Sequence, residues 1–313
     1  MNARKALLTY RRRHKVMIKK VIRDILGQSK VIDLQTRKKF HKVSYLQELL
    51  KQNEQFKDKY KGKRCFVLGN GPSLKKVDFK LLENEFTFTV NQLPRNDRFS
   101  QLKTNVHLWS DWRFFDLHRD NEEEMELLNV MKAVNTENNR PLVFYKMEAY
   151  NMIQKFELDK YLDIFYYDEV LPVEVLPKYI DFTKLVPQFR TVVHYAISLA
   201  VYMGFSEIYL LGCDCSGFIS NAETKLGSAE KSLYGYNVSA NEKKRMEKVA
   251  EKMSLRDELQ LYVNLFDDYE KMKAYCQSYG VKLYNATGTT LLESVPRVEF
   301  DTIIKHKCGE NIE

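Results

Sequence analysis

The stretch that most limits how this chain can fold is Cys65-Phe66-Val67-Leu68-Gly69-Asn70-Gly71-Pro72-Ser73-Leu74, where four strand-forming hydrophobics run straight into a turn. A short continuous apolar run of this kind fits a strand buried on both faces of a parallel sheet. Gly69 and Gly71 allow positive φ and let a ligand approach the backbone closely, while Pro72 fixes φ at the start of a helix and Ser73 can cap it. A helix N-terminus at this point presents N–H groups and partial positive charge to an anion. The dinucleotide fingerprint Gly-x-Gly-x-x-Gly is incomplete, because its third glycine position is Leu74. The alternative to a phosphate loop is a tight strand-to-helix turn with no ligand.

Strand, polar tip and helix then recur along the chain. A helix over about 75–83 packs through Val77, Phe79, Leu81 and Leu82, and strand Phe86-Thr87-Phe88-Thr89-Val90 ends in Asn91-Gln92. Strand Val106-His107-Leu108-Trp109 ends in Ser110-Asp111. Ligands of open parallel sheets gather at the carboxyl ends of strands, so three successive polar tips predict one shared site. A helix near 121–133 and a strand at 142–145 follow, then an irregular segment with Pro172, Pro177 and Pro187. Thr191 can cap a helix that Gly204 ends, and strand Ile208-Tyr209-Leu210-Leu211 runs into Gly212-Cys213-Asp214, which a right-handed crossover puts on the crevice side. Residues 215–255 are polar, hold three glycines and include Tyr234-Gly235-Tyr236, and they predict a mobile lid. A helix over 256–278, a strand at 281–284 and the loop Asn285–Thr290 complete an α/β, Rossmann-like, mostly parallel sheet flanked by helices. The expected organisation is a helical extension over 1–60, a nucleotide-sugar-binding catalytic domain over 61–300 with its lid, and a tail over 301–313.

Composition narrows the partners. The formal charge is +8, and it belongs to the N-terminus: residues 1–27 carry nine Lys or Arg against the single acid Asp24, and the remaining basic and acidic side chains cancel. The body therefore gives no electrostatic case for nucleic acid. Residues 2–27 interleave the basic residues with apolar ones, a pattern for a helix lying on an anionic membrane surface and gaining about 1 kcal/mol per basic residue near the headgroups. A solvated or disordered basic arm, or one that binds RNA, are the other readings of that segment. Five cysteines, at 65, 213, 215, 276 and 308, form no C-x-x-C pair and no zinc-like spacing. With no apolar run long enough to cross a membrane, the expectation is a cytoplasmic protein at the inner face of the membrane.

In order and spacing, Gly69-Asn70-Gly71-Pro72-Ser73-Leu74, Asn91-Gln92 after the second strand, Met203-Gly204-Phe205-x-Glu207-Ile208-Tyr209-Leu210-x-Gly212-x-Asp214, and Gly280-Val281-Lys282-Leu283-Tyr284 before Asn285 resemble two related groups. One is the bacterial lipooligosaccharide sialyltransferases, with a single GT-A-like, Rossmann-like domain and a lid. The other is the superfamily of flagellin-modifying motility accessory factors and archaeal 6-hydroxymethylpterin diphosphokinases. The resemblance covers about residues 60–295. It implies a glycosyltransferase that moves a sugar, a nonulosonic acid among the candidates, from a CMP-linked nucleotide donor to a cell-surface glycan or lipid-linked acceptor, with no metal and no cofactor. The chain agrees in having no Asp-x-Asp pair.

Carried over by position, the sialyltransferase pattern implies that Asn70 and Asn91 hold the nucleotide sugar, with Gly71 and Ser73 near its phosphate and Gly69 and Gln92 beside them. Arg190 and Thr191 resemble the residues opposite the donor's sugar and carboxylate, and Asp214 the residue that grips the ribose. Tyr234 and Tyr236 resemble lid tyrosines that stabilise the departing phosphate, a task phenol donors perform without metal. One departure stands out: the family's histidine base precedes the last strand, and residues 216–300 contain no histidine. The candidates to replace it are Asp257 or Glu258, Asp111, and His194. The second group implies the runner-up, an ATP- and Mg²⁺-using pterin diphosphokinase; a non-catalytic nucleotide-sugar-binding protein is the third reading.

Overall fold

A computed structural model of the chain describes residues 28–118, 121–170, 176–226, 234–244 and 253–305. The basic segment 2–27 lies outside the described residues, as do 227–233 and 245–252 of the expected lid. The strands are β1 (Arg64–Leu68), β2 (Thr87–Val90), β3 (Val106–Trp109), β4 (Leu142–Lys146), β5 (Asp163–Tyr167), β6 (Glu207–Leu211) and β7 (Lys282–Asn285). All pair in parallel, in the order β5-β4-β3-β2-β1-β6-β7. The helices are α1 (Gln28–Lys42), α2 (Ser44–Lys51), α3 (Glu122–Lys132), α4 (Tyr150–Phe156), α5 (Val192–Tyr202), α6 (Gly217–Lys225), α7 (Leu255–Ser278) and α8 (Phe300–Lys305). The expected α/β class and flanking helices are borne out.

The sheet is buried on both faces, which is why its strands read as apolar runs rather than alternating ones. In β1, Cys65 and Val67 enter the core beneath α5, while Phe66 and Leu68 enter the opposite core with Leu74, Phe79 and Tyr209. All eleven residues of α5 are buried, as expected of a helix apolar on every side. Its start is fixed by Thr191, whose hydroxyl accepts from Val193 N, an N-cap worth about 1 kcal/mol.

Three expectations change. The predicted helix over 75–83 is instead two 3₁₀ turns, Pro72–Lys76 and Phe79–Leu82, separated by extended backbone at Val77 and Asp78. β5 lies inside the segment read as irregular. It is an edge strand, only half-buried over Asp163–Phe165, and it lacks the bounding turn residues that mark the other strands. Residues before the expected boundary at 61 also belong to these cores. Leu46, Leu50 and Phe56 are buried in them, and the Asn53 amide donates to Tyr166 O and Phe182 O, both at 2.8 Å. At the other end Ile303 is buried and its carbonyl accepts from Arg64 at 3.0 Å. Among the described residues no helix is long and apolar enough to cross a membrane.

Candidate active site

β1 and β6 are neighbours, and the chain leaves them in opposite directions along the sheet, which makes their carboxyl ends the topological switch point. The Gly69–Ser73 loop and the Gly212–Asp214 turn meet there. Gly69 N donates to Leu211 O and Gly71 N to Gly212 O, both at 2.8 Å. Gly71 precedes the Pro72–Lys76 turn as its N-cap with φ −68°, so no left-handed backbone accounts for the glycine. Close approach does: a Cβ on Gly71 would lie 1.9 Å from Asp214 Oδ2, and one on Gly69 2.5 Å from Gly212 O. Ser73, expected to cap a helix, instead donates its N–H to Asp214 Oδ1 (2.9 Å) and its hydroxyl to Oδ2 (2.7 Å). Burial raises the Asp214 carboxyl above its usual range, and the Ser73 bonds pull it partly back.

The polar tips reach sideways from strand to strand. Asn70, after β1, donates its amide to Val90 O of β2 at 3.2 Å. Asn91, after β2, turns at φ 47°, a conformation asparagine tolerates, and its Oδ1 accepts from Ser110 N at the end of β3 at 3.2 Å. Asp214, Asn70 and Asn91 thus form one ledge running over β6, β1, β2 and β3. The Asn70 Oδ1 on this ledge is buried with no partner among the described residues.

Residues 234–244 close over the ledge. Gly235 N donates to Asn70 O (2.8 Å), and Asn96 donates to Gly235 O (2.6 Å). A Cβ on Gly235 would meet Gly71 O at 2.7 Å. The rings of Tyr234 and Tyr236 on either side of Gly235 stack at 5.0 Å, with Tyr236 buried. Gln92 is buried and donates to Glu242 at 2.7 Å. These residues, the described part of the expected lid between 227–233 and 245–252, are therefore tied to the strand tips.

Beside the ledge opens a cavity of about 1130 Å³. It is lined by the strand tips Asn91, Asp111, Lys146 and Glu169, by Arg190 and Thr191 at the start of α5, and by Glu242, Asp257 and the exposed Trp112. Arg190 is ion-paired with Asp268 of α7. Lys146 and Glu169 form a pair at 3.0 Å, and Glu169 also accepts from Gln188 (2.8 Å) and from the Tyr195 hydroxyl. Ser254 caps α7, placing Asp257 in its first turn, whereas Glu258 is buried. Among the described residues no three His, Cys, Asp or Glu side chains are grouped as metal ligands.

The structure brings together most of the expected set. Gly69, Asn70, Gly71, Ser73, Asn91 and Asp214 share the ledge, with Tyr234 and Tyr236 above it, and Asn91, Asp111, Arg190 and Thr191 line the cavity. His194 does not join them. It is fully buried between Phe189 and Tyr269, both ring nitrogens lack partners among the described residues, and burial drops its pKa to about 3, which corrects its place among the candidate bases. Burial also raises both thiols flanking Asp214, Cys215 to about 12, so neither is a thiolate nucleophile.

The sequence matches the family described as Alpha-2,3-sialyltransferase (CST-I) over residues 63–301, a span running from β1 into α8. The chain belongs to that family. It is a glycosyltransferase. Among solved structures it is similar to the sialyltransferase CstII from Campylobacter jejuni in complex with the substrate analogue cytidine-5'-monophosphate, at 18% identity and TM-score 0.40, covering 75% of this chain and 84% of that one. A second CstII structure, in complex with CMP-3FNeuAc, matches at 17% identity and TM-score 0.36, covering 80% and 89%. No curated protein matches.

Within this sialyltransferase-family site, Lys146, Glu169, Trp112 and Glu242 went unnoticed in the sequence. The signal for the first was available: Lys146 ends β4 as Asn91 follows β2. Glu169 was hidden because β5 was not recognised, and Glu242 because no local pattern links it to Gln92.

Proposed function

We propose that this enzyme transfers a nonulosonic acid from a CMP-linked donor to a cell-surface glycan or lipid-linked acceptor, without a divalent cation. The reading is carried by the ledge at the switch point, which lies inside the family match and offers the polar groups a nucleotide needs. Asn70 and Asn91 hold the nucleotide, the turn through Gly71 and Ser73 lies near its phosphate, and the buried Asp214 fixes that loop while keeping lone pairs for a ribose hydroxyl. Arg190 supplies the cation for the sugar carboxylate, next to the cap of α5. Tyr234 and Tyr236, held over the loop through Gly235, donate to the departing phosphate. Asp111 and Asp257, both on the cavity, are the carboxylates proposed to accept the acceptor's proton. The basic segment 2–27 is proposed to dock the enzyme on an anionic cytoplasmic membrane surface.

A thermal-shift panel of CMP, UDP, GDP and ATP tests the donor class. A ligand at a hundred times its dissociation constant adds about 2.7 kcal/mol, which for a chain of this length raises Tm by roughly 4 °C. CMP is expected to give that shift and the others less than half of it; a shift with UDP or GDP alone would move the enzyme to another donor. Turnover in EDTA equal to that in Mg²⁺ is expected, and an absolute Mg²⁺ requirement with ATP would favour the diphosphokinase-like alternative.

A further inference from the structure

Of the two tryptophans in the chain, Trp109 is fully buried in β3, while Trp112, three residues on, is 65% exposed and lines the cavity. The intervening turn is anchored. Phe114 and Phe115 are buried, Phe114 packs edge-on against Trp109 at 5.6 Å, and Phe114 N donates to Asp111 O at 3.0 Å. Trp112 is thus held outward by a fixed turn. An indole left this wet at a cavity mouth offers an apolar face with negative π density, suited to the C–H face of a sugar ring.

The polar groups across the cavity suit the same ligand. Lys146 and Glu169 both line the cavity, the ammonium donating to Glu169 at 3.0 Å with the Glu148 carboxylate 3.7 Å away. Gln188 and Tyr195 hold the Glu169 carboxylate in place. A fixed ammonium and carboxylate side by side give directional donors and acceptors for neighbouring hydroxyls. Strand spacing sets this region apart from the donor: at about 4.8 Å per strand, the β3 and β4 tips lie roughly 10 and 14 Å from the β1 tip. The charge on this side is acidic, with Asp111, Asp116 and Glu124 on the lining and Lys146 already paired, which disfavours an anionic ring.

Resting on the donor assignment above, we infer that this end of the cavity is the acceptor subsite and that it takes an uncharged pyranose stacked on Trp112, with its hydroxyls on Lys146 and Glu169.

Because Trp109 is buried, acrylamide quenching reports on Trp112 in the full-length protein. Methyl β-galactoside or methyl β-glucoside is expected to protect Trp112 and shift its emission to shorter wavelength, with methyl β-glucuronide binding at least about ten-fold more weakly and CMP alone leaving the quenching unchanged. Trp112→Ala is expected to raise the acceptor KM about ten-fold while donor hydrolysis keeps its rate within two-fold, and Trp112→Phe is expected to restore most of the KM. Quenching unaffected by either glycoside, protection by CMP instead, a glucuronide that binds as well, or an unchanged KM in Trp112→Ala would overturn the inference. Absence of donor hydrolysis with every nucleotide sugar would instead defeat the donor assignment, while glycoside protection of Trp112 would still report on the subsite.

Discussion

Gly71→Ala is expected to destabilise the protein by about 4 kcal/mol, lowering Tm by roughly 6 °C, and to abolish the CMP-induced shift. The new methyl carbon would overlap Asp214 Oδ2 at 1.9 Å and Gly212 O at 2.6 Å. Backbone sits on one side and a buried carboxylate on the other, so relief requires Asp214 to move. Movement breaks the two Ser73 bonds to this buried carboxylate, each worth about 1.5–3 kcal/mol. Gly288→Ala is the control, since a Cβ there meets nothing within 4 Å. A Gly71→Ala protein melting within about 1 °C of the parent would show that the loop is not clamped against Asp214.

Acidification from pH 7 to pH 5 is expected to remove about 4 kcal/mol of stability through two core histidines, about 2 kcal/mol each. His107 and His194 are fully buried, and burial drops each to about 3 from an ordinary value near 6.5. For His107 a backbone bond at Asn91 opposes the drop, and Thr89 Oγ1 lies 2.7 Å from its Nδ1. For His194, Asp268 opposes the drop while Arg190 and Lys271 reinforce it. Both imidazoles stay neutral in the folded protein and bind a proton once unfolded below pH 6.5. Their contribution is therefore complete above that pH and is lost as pH falls toward 3. Urea unfolding at the two pH values measures it. His194→Phe, which keeps an aromatic ring between Phe189 and Tyr269, is expected to halve the loss; a variant with an unchanged pH slope would show that His194 is not a neutral core residue.

The sequence disclosed the sheet because parallel strands buried on both faces appear as short apolar runs, and it disclosed the ledge because such strands end in Asn70, Asn91, Asp111 and Asp214. It misjudged the 69–74 loop. Gly-x-Gly suggested left-handed backbone and a capped helix, whereas the glycines are there because β6 lies too close for side chains, a distance no local pattern encodes. His194 was misplaced for a related reason: adjacency to Arg190 and Thr191 in the chain says nothing about which way a helical residue points, and one turn of α5 carries it into the core. Gln92 and Glu242, 150 residues apart, become partners only when the segment over the strand tips is laid down.

Amide hydrogen exchange with and without CMP tests most directly the claim that separate strand tips build one nucleotide site. Saturating CMP is expected to slow exchange together in peptides spanning 69–74, 91–92, 212–216 and 234–236, with 142–167 unchanged. Protection confined to one of these peptides, or appearing only at 142–167, would contradict the account.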